Sequence, residues 1–298
     1  MLSIVKSIAL HGLQGYLVHI QVDVSSGMPS FEIVGLPDIS IKESKERVKA
    51  AIKNSGVEFL SRKIVVNLAP ANTKKEGSIF DLPIAIGILI ANGDINSTLL
   101  YDILDQTVFI GELALDGSVE VVKGILPICI EAKNLGIKRI ILPKLNSKEA
   151  SIIDGIDIIP VSNLNEVIDY LNSDLVIEKE KSVNFLSSFK PKYNFDFSEV
   201  KGQENVKRAL EIAAAGGHNC LLIGSPGSGK TMLARRIPSI LPDLTFEEAL
   251  EVTKIHSISG LLSEDNPLIL TRPFRSPHHT ITETSLVGGG RIPKPRRN

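Results

Sequence analysis

Apolar and polar positions alternate through "GYLVHIQVDVSS": Tyr16, Val18, Ile20, Val22 and Val24 face one way, and Leu17, His19, Gln21 and Asp23 the other. That period of two predicts a half-buried strand. The spacing lengthens in "DISIKESKERVKAAIKNSG", where Ile41, Val48 and Ile52 make a helical stripe. Ser40 and Glu43 have the capping-box spacing at its start, and Gly56 ends it. "RKIVVNLA" predicts another strand. "DLPIAIGILIANG" has helical length but is apolar nearly all round, which predicts a buried helix with Asp81 as cap and Pro83 in the first turn.

"VFIGELALDGSVEVV" places two β runs around Asp116-Gly117, a hairpin signal. Helix "PICIEAKNLG", strand "IKRIILP", short helix "SKEASIIDG", strand "IDIIPV" and helix "NLNEVIDYLN", capped by Asn163, follow. This alternation predicts a mixed α/β domain over residues 1–172. Residues 173–195 lose periodicity and carry clustered charges and serines, as a linker does. A second α/β unit, 196–298, opens with a helix over about 203–215, then a strand at "NCLLIG", a glycine-rich loop and a further helix. In "TFEEALEVTKIHS", Thr245 and Glu248 form another capping box.

The length of 298 residues agrees with two domains, and the net charge of −1 points to no polyanionic partner for the chain as a whole. No apolar run approaches the ~18 residues of a membrane span, and the N-terminus lacks the pattern of a secretory signal. Cys129 and Cys220, far apart, read as reduced thiols of a cytoplasmic protein.

The sharpest chemical signal is Gly224-Ser225-Pro226-Gly227-Ser228-Gly229-Lys230-Thr231, which matches G-x-x-x-x-G-K-[ST] at every fixed position. Glycines let successive N–H groups curl toward phosphate oxygens, and a helix starting at Lys230 adds its positive end. Lys230 would reach the β- and γ-phosphates of ATP, and the Thr231 hydroxyl would ligate Mg²⁺. Hydrolysis needs a second acidic element at the end of an apolar strand. "PLILTRP" ends in threonine, and "LVIEKE" precedes the loop, so neither supplies a Walker B carboxylate.

With these residues in place, the chain resembles the ComM/YifB family of magnesium-chelatase-like AAA+ ATPases over essentially its whole length. The resemblance rests on "GYLVHIQVDVSSGMPSFEIVGLPD", "NLAPANTKKEGSIFDLPIAIGIL", "GELALDGSVEVVKGILP", "VKGQENVKRALEIAAAGGHNCLLIGSPGSGKT" and "RPFRSPHHTITETSLVGGGRIPKP". It implies a Lon-protease-like α+β domain (ribosomal S5 domain 2-like) over 1–172, followed by the start of a P-loop AAA+ module over 196–298. Because "RIPKPRRN" stands where the family pattern runs on into an Asp-Glu strand, the expectation is a chain cut within that module. Val200, Gly202 and Gln203 are implied nucleotide contacts, Val200 being equally well a core residue. The family further implies a homo-hexameric ring that uses ATP to move on DNA in processing incoming DNA. This chain is then expected to bind nucleotide without hydrolysing it. The alternative is an inert fragment in which the first domain alone is stable.

The likeness to Lon raises a Ser–Lys peptidase as a rival. Aligned on "KKEGSIF" the serine slot falls on Ile79 and the lysine slot on Leu126, with Ser78 and Lys123 displaced, so no peptidase activity is expected. His278 and His279 are adjacent, point to opposite sides of an extended segment, and do not suit one metal ion. Arg272, Arg275, Arg291, Lys294, Arg296 and Arg297 face only Glu283 in charge, a segment suited either to DNA phosphates or to plain solvation.

Overall fold

The computed structural model describes residues 2–97, 100–181, 193, 195–263 and 266–276. The chain divides into two units, Met1–Val183 with Lys254–Pro267, and Asn184–Thr253 with Leu268–Asn298.

The first unit is built on a sheet of seven strands: β1 (Leu2–His11), β2 (Gln14–Ser25), β3 (Ser30–Val34), β4 (Lys63–Ala69), β5 (Thr107–Phe109), β8 (Arg139–Pro143) and β9 (Asp157–Val161). Their order is β3-β4-β2-β1-β5-β8-β9. β2 runs antiparallel to β1 and β4, while β3/β4, β1/β5, β5/β8 and β8/β9 are parallel. The predicted alternation in β2 holds, with Val18, Ile20, Val22 and Val24 buried. The hairpin at Asp116-Gly117 also forms, as the short strands β6 (Glu112–Leu113) and β7 (Val119–Glu120), with Gly117 at φ +90°.

The helices of this unit are α1 (Ile39–Asn54), α2 (Asp81–Asn92), α3 (Leu100–Asp105), α4 (Ile125–Asn134), α5 (Ser147–Ala150) and α6 (Leu164–Asn172). α2 is the core helix its composition predicts, buried from Asp81 to Ala91. Ile84, Ile86 and Ile88 are each fully buried, worth roughly 1.5–3 kcal/mol apiece. Gly87 lets α2 approach β2: a Cβ there would come 2.6 Å from Val22 Cγ2. Asn163 caps α6 as expected, accepting from Glu166 N–H at 3.0 Å.

Three local expectations are corrected. The cap of α1 is Asp38, whose Oδ1 accepts from Ile41 N–H at 2.9 Å, not Ser40. Asp81 does not cap α2, because its carboxylate is taken by Arg47 and by Leu113 N–H. The chain after residue 172 is not a free linker throughout: Lys179 pairs with Asp157 at 2.6 Å, and Glu180 N–H donates to Ile158 O.

Strands β1 and β3 do not stand out in the sequence. In β1 the polar Ser3 and Ser7 are buried while Leu2 and Ile4 are exposed, the reverse of the usual pattern. Ser3 is accommodated because its Oγ donates to Gly87 O at 2.7 Å.

The second unit contains α7 (Glu204–Gly216), α8 (Lys230–Arg236) and α9 (Phe246–Ser259), the last running on into the first unit's residues. Thr245 and Glu248 bond reciprocally at the start of α9, as the capping box predicts. A small core joins Phe197, Val200, Leu210 and Leu233. "NCLLIG" is not a strand here, and Leu221 and Ile223 are 82% and 86% exposed. A strand exists only where a neighbour takes its alternate N–H and C=O groups, and no described residue of this unit pairs with it. Among the described residues, no helix is long and apolar enough to cross a membrane.

Candidate functional site

Lys230 opens α8, and the glycine-rich loop folds back over it. Its Nζ donates to Gly224 O at 2.9 Å, Ser225 O at 2.7 Å and Ser228 Oγ at 3.3 Å. A cationic donor is thereby held inside the loop's own curl. Gly227 and Gly229 have φ of +79° and +87°, the left-handed region where a side chain costs roughly 1–2 kcal/mol. Gly224 is tight for a different reason: a Cβ there would stand 3.0 Å from Ser228 Oγ. Pro226 and Thr231 are exposed, so the threonine hydroxyl is open to an ion.

The expected contacts upstream of α7 divide. Gln203 reaches the loop, its Nε2 donating to Ser228 O at 3.2 Å. It adopts φ +56° after Gly202 at φ +68°, a left-handed pair at the start of α7. Val200 is 3% exposed, and its side chain belongs to the core with Phe197, Leu210 and Leu233. The residues present fit a phosphate group: an ammonium, a hydroxyl and a curled backbone converge on one loop.

The rival serine site takes a different form. Ser78 lies in a 3₁₀ turn (Ser78–Phe80), and its Oγ donates to the Glu112 carboxylate. Ile79, in the serine slot, accepts from Gly111 N–H through its carbonyl at 3.0 Å. Leu126 is fully buried in the lysine slot, and Lys123 is exposed.

Two charged groups of the first unit carry no sequence signal of their importance. Asp81 is fully buried and bridged by Arg47 at 2.6 Å. Burial pushes its carboxyl above the usual value, while the Arg47 and Ser44 hydrogen bonds pull it back. Lys75 is 1% exposed and donates to Gly35 O at 3.2 Å and to Pro70 O. Burial lowers its pKa. Nothing in "NTKKEGS" separates it from exposed Lys74.

Of the basic segment, Arg272 is tied to Pro242 O at 2.7 Å and Glu248 at 3.2 Å, and Arg275 is exposed. His278, His279, Glu283, Arg291, Lys294, Arg296 and Arg297 lie outside the described residues. Among those described, no group of three His, Cys, Asp or Glu residues is placed to hold a metal ion. Cys129 is buried, Cys220 is exposed, and both are free thiols.

Two family models match: "Subunit ChlI of Mg-chelatase" over residues 20–146, and "Magnesium chelatase, subunit ChlI" over 196–297. The chain is similar to YifB of Escherichia coli, 43% identical over 294 residues, covering 99% of this chain and 56% of that protein. It is similar to the competence protein ComM of Haemophilus influenzae, 42% identical over 301 residues, covering 99% and 57%. Lon protease 2 of Bacillus subtilis matches partially, 30% identical over 185 residues, covering 56% of this chain and 32% of that protein. The chain thus spans about half the length of the curated relatives it matches over nearly its full extent. The mixed sheet of the first unit agrees with the Lon-like fold, and the loop-and-helix of the second with a P-loop α/β unit.

Proposed function

The chain belongs to the ComM/YifB family of magnesium-chelatase-like proteins, and we propose that its second unit binds Mg²⁺-ATP or Mg²⁺-ADP at Gly224–Thr231. The observation that carries this reading is the position of Lys230, whose ammonium is already drawn to three acceptors of the loop. These acceptors are neutral. Hydrogen bonds to an ionised phosphate are roughly twice as strong as neutral ones, so exchanging Gly224 O and Ser225 O for phosphate oxygens is favourable. Bound Mg²⁺-ATP would supply a transferable phosphoryl group and a metal counter-charge. The residues do the holding: Gly227 and Gly229 permit the curl, Lys230 meets the β- and γ-phosphates, and Thr231 ligates the ion. Gln203 braces the loop through its bond to Ser228 O, and Gly202 and Val200 remain implied contacts of the family pattern.

The groups in this loop act on phosphates as they bind, and the chain by itself is proposed to hold nucleotide without turning it over. Calorimetry with Mg²⁺-ADP should show weak binding, lost in Lys230→Ala, and phosphate release should stay at background. Turnover abolished by Lys230→Ala would overturn the second half; binding unchanged in that variant would overturn the first.

The name of the Haemophilus relative points to DNA taken up by the cell, and a ring of six subunits moving on DNA in the cytoplasm is the wider setting proposed. Peptidase activity is not part of the proposal, because Ser78 is committed to Glu112. A second reading, an inert second unit beside a stable first one, is favoured by the exposure of Leu221 and Ile223 ahead of the loop. Absence of any nucleotide binding would support it.

A further inference from the structure

Strand β3 is an edge of the seven-stranded sheet, paired only with β4 among the described strands. Its pairing begins with Ser30 N–H donating to Arg62 O, so Ser30, Glu32 and Val34 turn their backbone groups inward. Phe31 and Ile33 therefore present theirs to an open edge. Natural edges are usually protected by proline, bulges or a covering element, and β3 contains no proline.

Beside this edge lies a groove of about 280 Å³ lined by Phe31, Phe59, Lys45, Lys49 and Arg62, with Glu46 as its one carboxylate. Lys45 and Lys49 are one helical turn apart on α1 and share a face. Lys49 Nζ stands 5.9 Å over the Phe59 ring, and none of the three cations forms an ion pair with a described carboxylate. At its other end β3 displays Val34, which is exposed, and beyond the strand Leu36 is 54% exposed and Ile39 is 75% exposed.

That apolar end is held rigidly. Leu36 adopts φ +58°, a conformation bulky residues rarely take. Buried Lys75 fixes it from three sides: its N–H donates to Leu36 O at 3.2 Å, its Nζ to Gly35 O at 3.2 Å, and its carbonyl accepts from Asp38 N–H at 3.1 Å. A constraint of this kind keeps apolar side chains in solvent at a cost the fold must offset elsewhere.

We propose that the β3 edge receives an extended, acidic polypeptide segment of a partner protein, added as a further strand. Successive side chains of such a strand point to opposite faces. On the face of Phe31 they meet Lys45, Lys49 and Arg62, which select carboxylates. On the face of Val34 they meet apolar side chains and Glu32, which select uncharged, apolar residues. The partner segment therefore alternates acidic and apolar positions. A second copy of this chain fits poorly: β3 against β3 would set Glu32 near Glu32 and one cationic groove beside another. A nucleic-acid strand would leave the amides of Phe31 and Ile33 and the apolar Leu36 and Ile39 unused.

The test uses the full chain and a labelled synthetic peptide of alternating glutamate and valine, followed by anisotropy and by hydrogen exchange. The expected result is saturable binding, weakened by salt, with slowed exchange at the amides of Phe31 and Ile33. Lys45→Glu/Lys49→Glu should weaken it by at least about tenfold. Arg62→Glu, outside any helix, should weaken it in the same direction. A lysine–valine peptide should not bind. No binding, or binding unchanged in both variants, would overturn the proposal. So would oligothymidylate displacing the peptide with higher affinity, or protection of Phe31 and Ile33 that grows with protein concentration alone.

Discussion

Arg47 and Asp81, separated by 34 positions, form a two-point ion pair: Nε lies 2.6 Å from Oδ2 and Nη2 3.1 Å from Oδ1. The same Nη2 reaches Ser40 O and Ser44 Oγ at 3.1 Å, and Leu113 N–H donates to Oδ2 at 3.3 Å. The pair thus ties α1 to the start of α2 and to β6 at the centre of the first unit.

Removing the cation should strand a buried charge. Arg47→Met is expected to lower the stability of the first unit by about 3–5 kcal/mol at neutral pH, read from urea unfolding. Burial raises the folded Asp81 pKa above its unfolded value, so its contribution is fully present below the unfolded value and lost as pH rises through the folded one. Loss of Arg47 raises the folded value further. The penalty should be smaller at mildly acidic than at neutral pH, because the folded carboxyl takes up its proton above the ordinary carboxylate value. An equal penalty at both pH values would show that the arginine acts through packing alone.

Lys75 Nζ donates to both Gly35 O and Pro70 O. Lys75→Met leaves both carbonyls without this donor and should cost about 1–3 kcal/mol. Because burial lowers the folded Lys75 pKa, the wild-type chain should gain stability as pH climbs from that lowered value to the ordinary lysine range. The methionine variant should lack this rise. Hydrogen exchange at Asp38, whose N–H donates to Lys75 O, should also quicken; exchange that stays slow would mean that the loop is rigid without the lysine.

Ser78 donates to Glu112, and Leu126, in the aligned lysine slot, is fully buried and carries no amine. Fluorophosphonate probes are expected to leave the first unit unlabelled, and Ser78→Ala to cost only about 1 kcal/mol in stability. Labelling at Ser78 that Lys123→Ala abolishes would restore the peptidase reading.

Gly229 and Gln203 are neighbours in the glycine-rich loop region. A Cβ on Gly229 would meet Gln203 Nε2 at 3.3 Å and would sit at φ +87°. Gly229→Ala should weaken Mg²⁺-ADP binding by about tenfold, from roughly 1–2 kcal/mol of backbone strain. Gln203→Ala should weaken it by several-fold, through loss of the bond to Ser228 O, about 1 kcal/mol. Calorimetry on the two variants checks both; unchanged affinities would place the nucleotide away from this loop.

Much of the described chain can be read from residue order because the signals are local. The alternation from Tyr16 to Val24, the hairpin at Asp116-Gly117, the Asn163 cap and the Thr245–Glu248 box each depend on residues within a few positions. The motif Gly224–Thr231 is legible for the same reason, since one loop carries its glycines, lysine and threonine. Strand β1 is not legible, because Ser3 and Ser7 face the core and Ser3 finds its acceptor at Gly87. "NCLLIG" misleads in the opposite sense: its composition suits a strand, but pairing requires a neighbour that no described residue of its unit provides.

Residue order by itself determined the main helix periods, the hairpin turn, the caps at Asn163 and Thr245 and the G-x-x-x-x-G-K-[ST] motif, all of which follow from backbone and side-chain preferences over a few residues. Tertiary structure alone decided that Asp81 is a buried ion-pair partner and not a cap, that Lys75 and not Lys74 enters the core, that Ser78 is bound to Glu112, and that Val200 packs while Gln203 touches the loop. Each of those outcomes depends on desolvation and on partners brought from distant segments. A charged or polar side chain has the same local preferences in either setting, and only the fold determines which one loses its water.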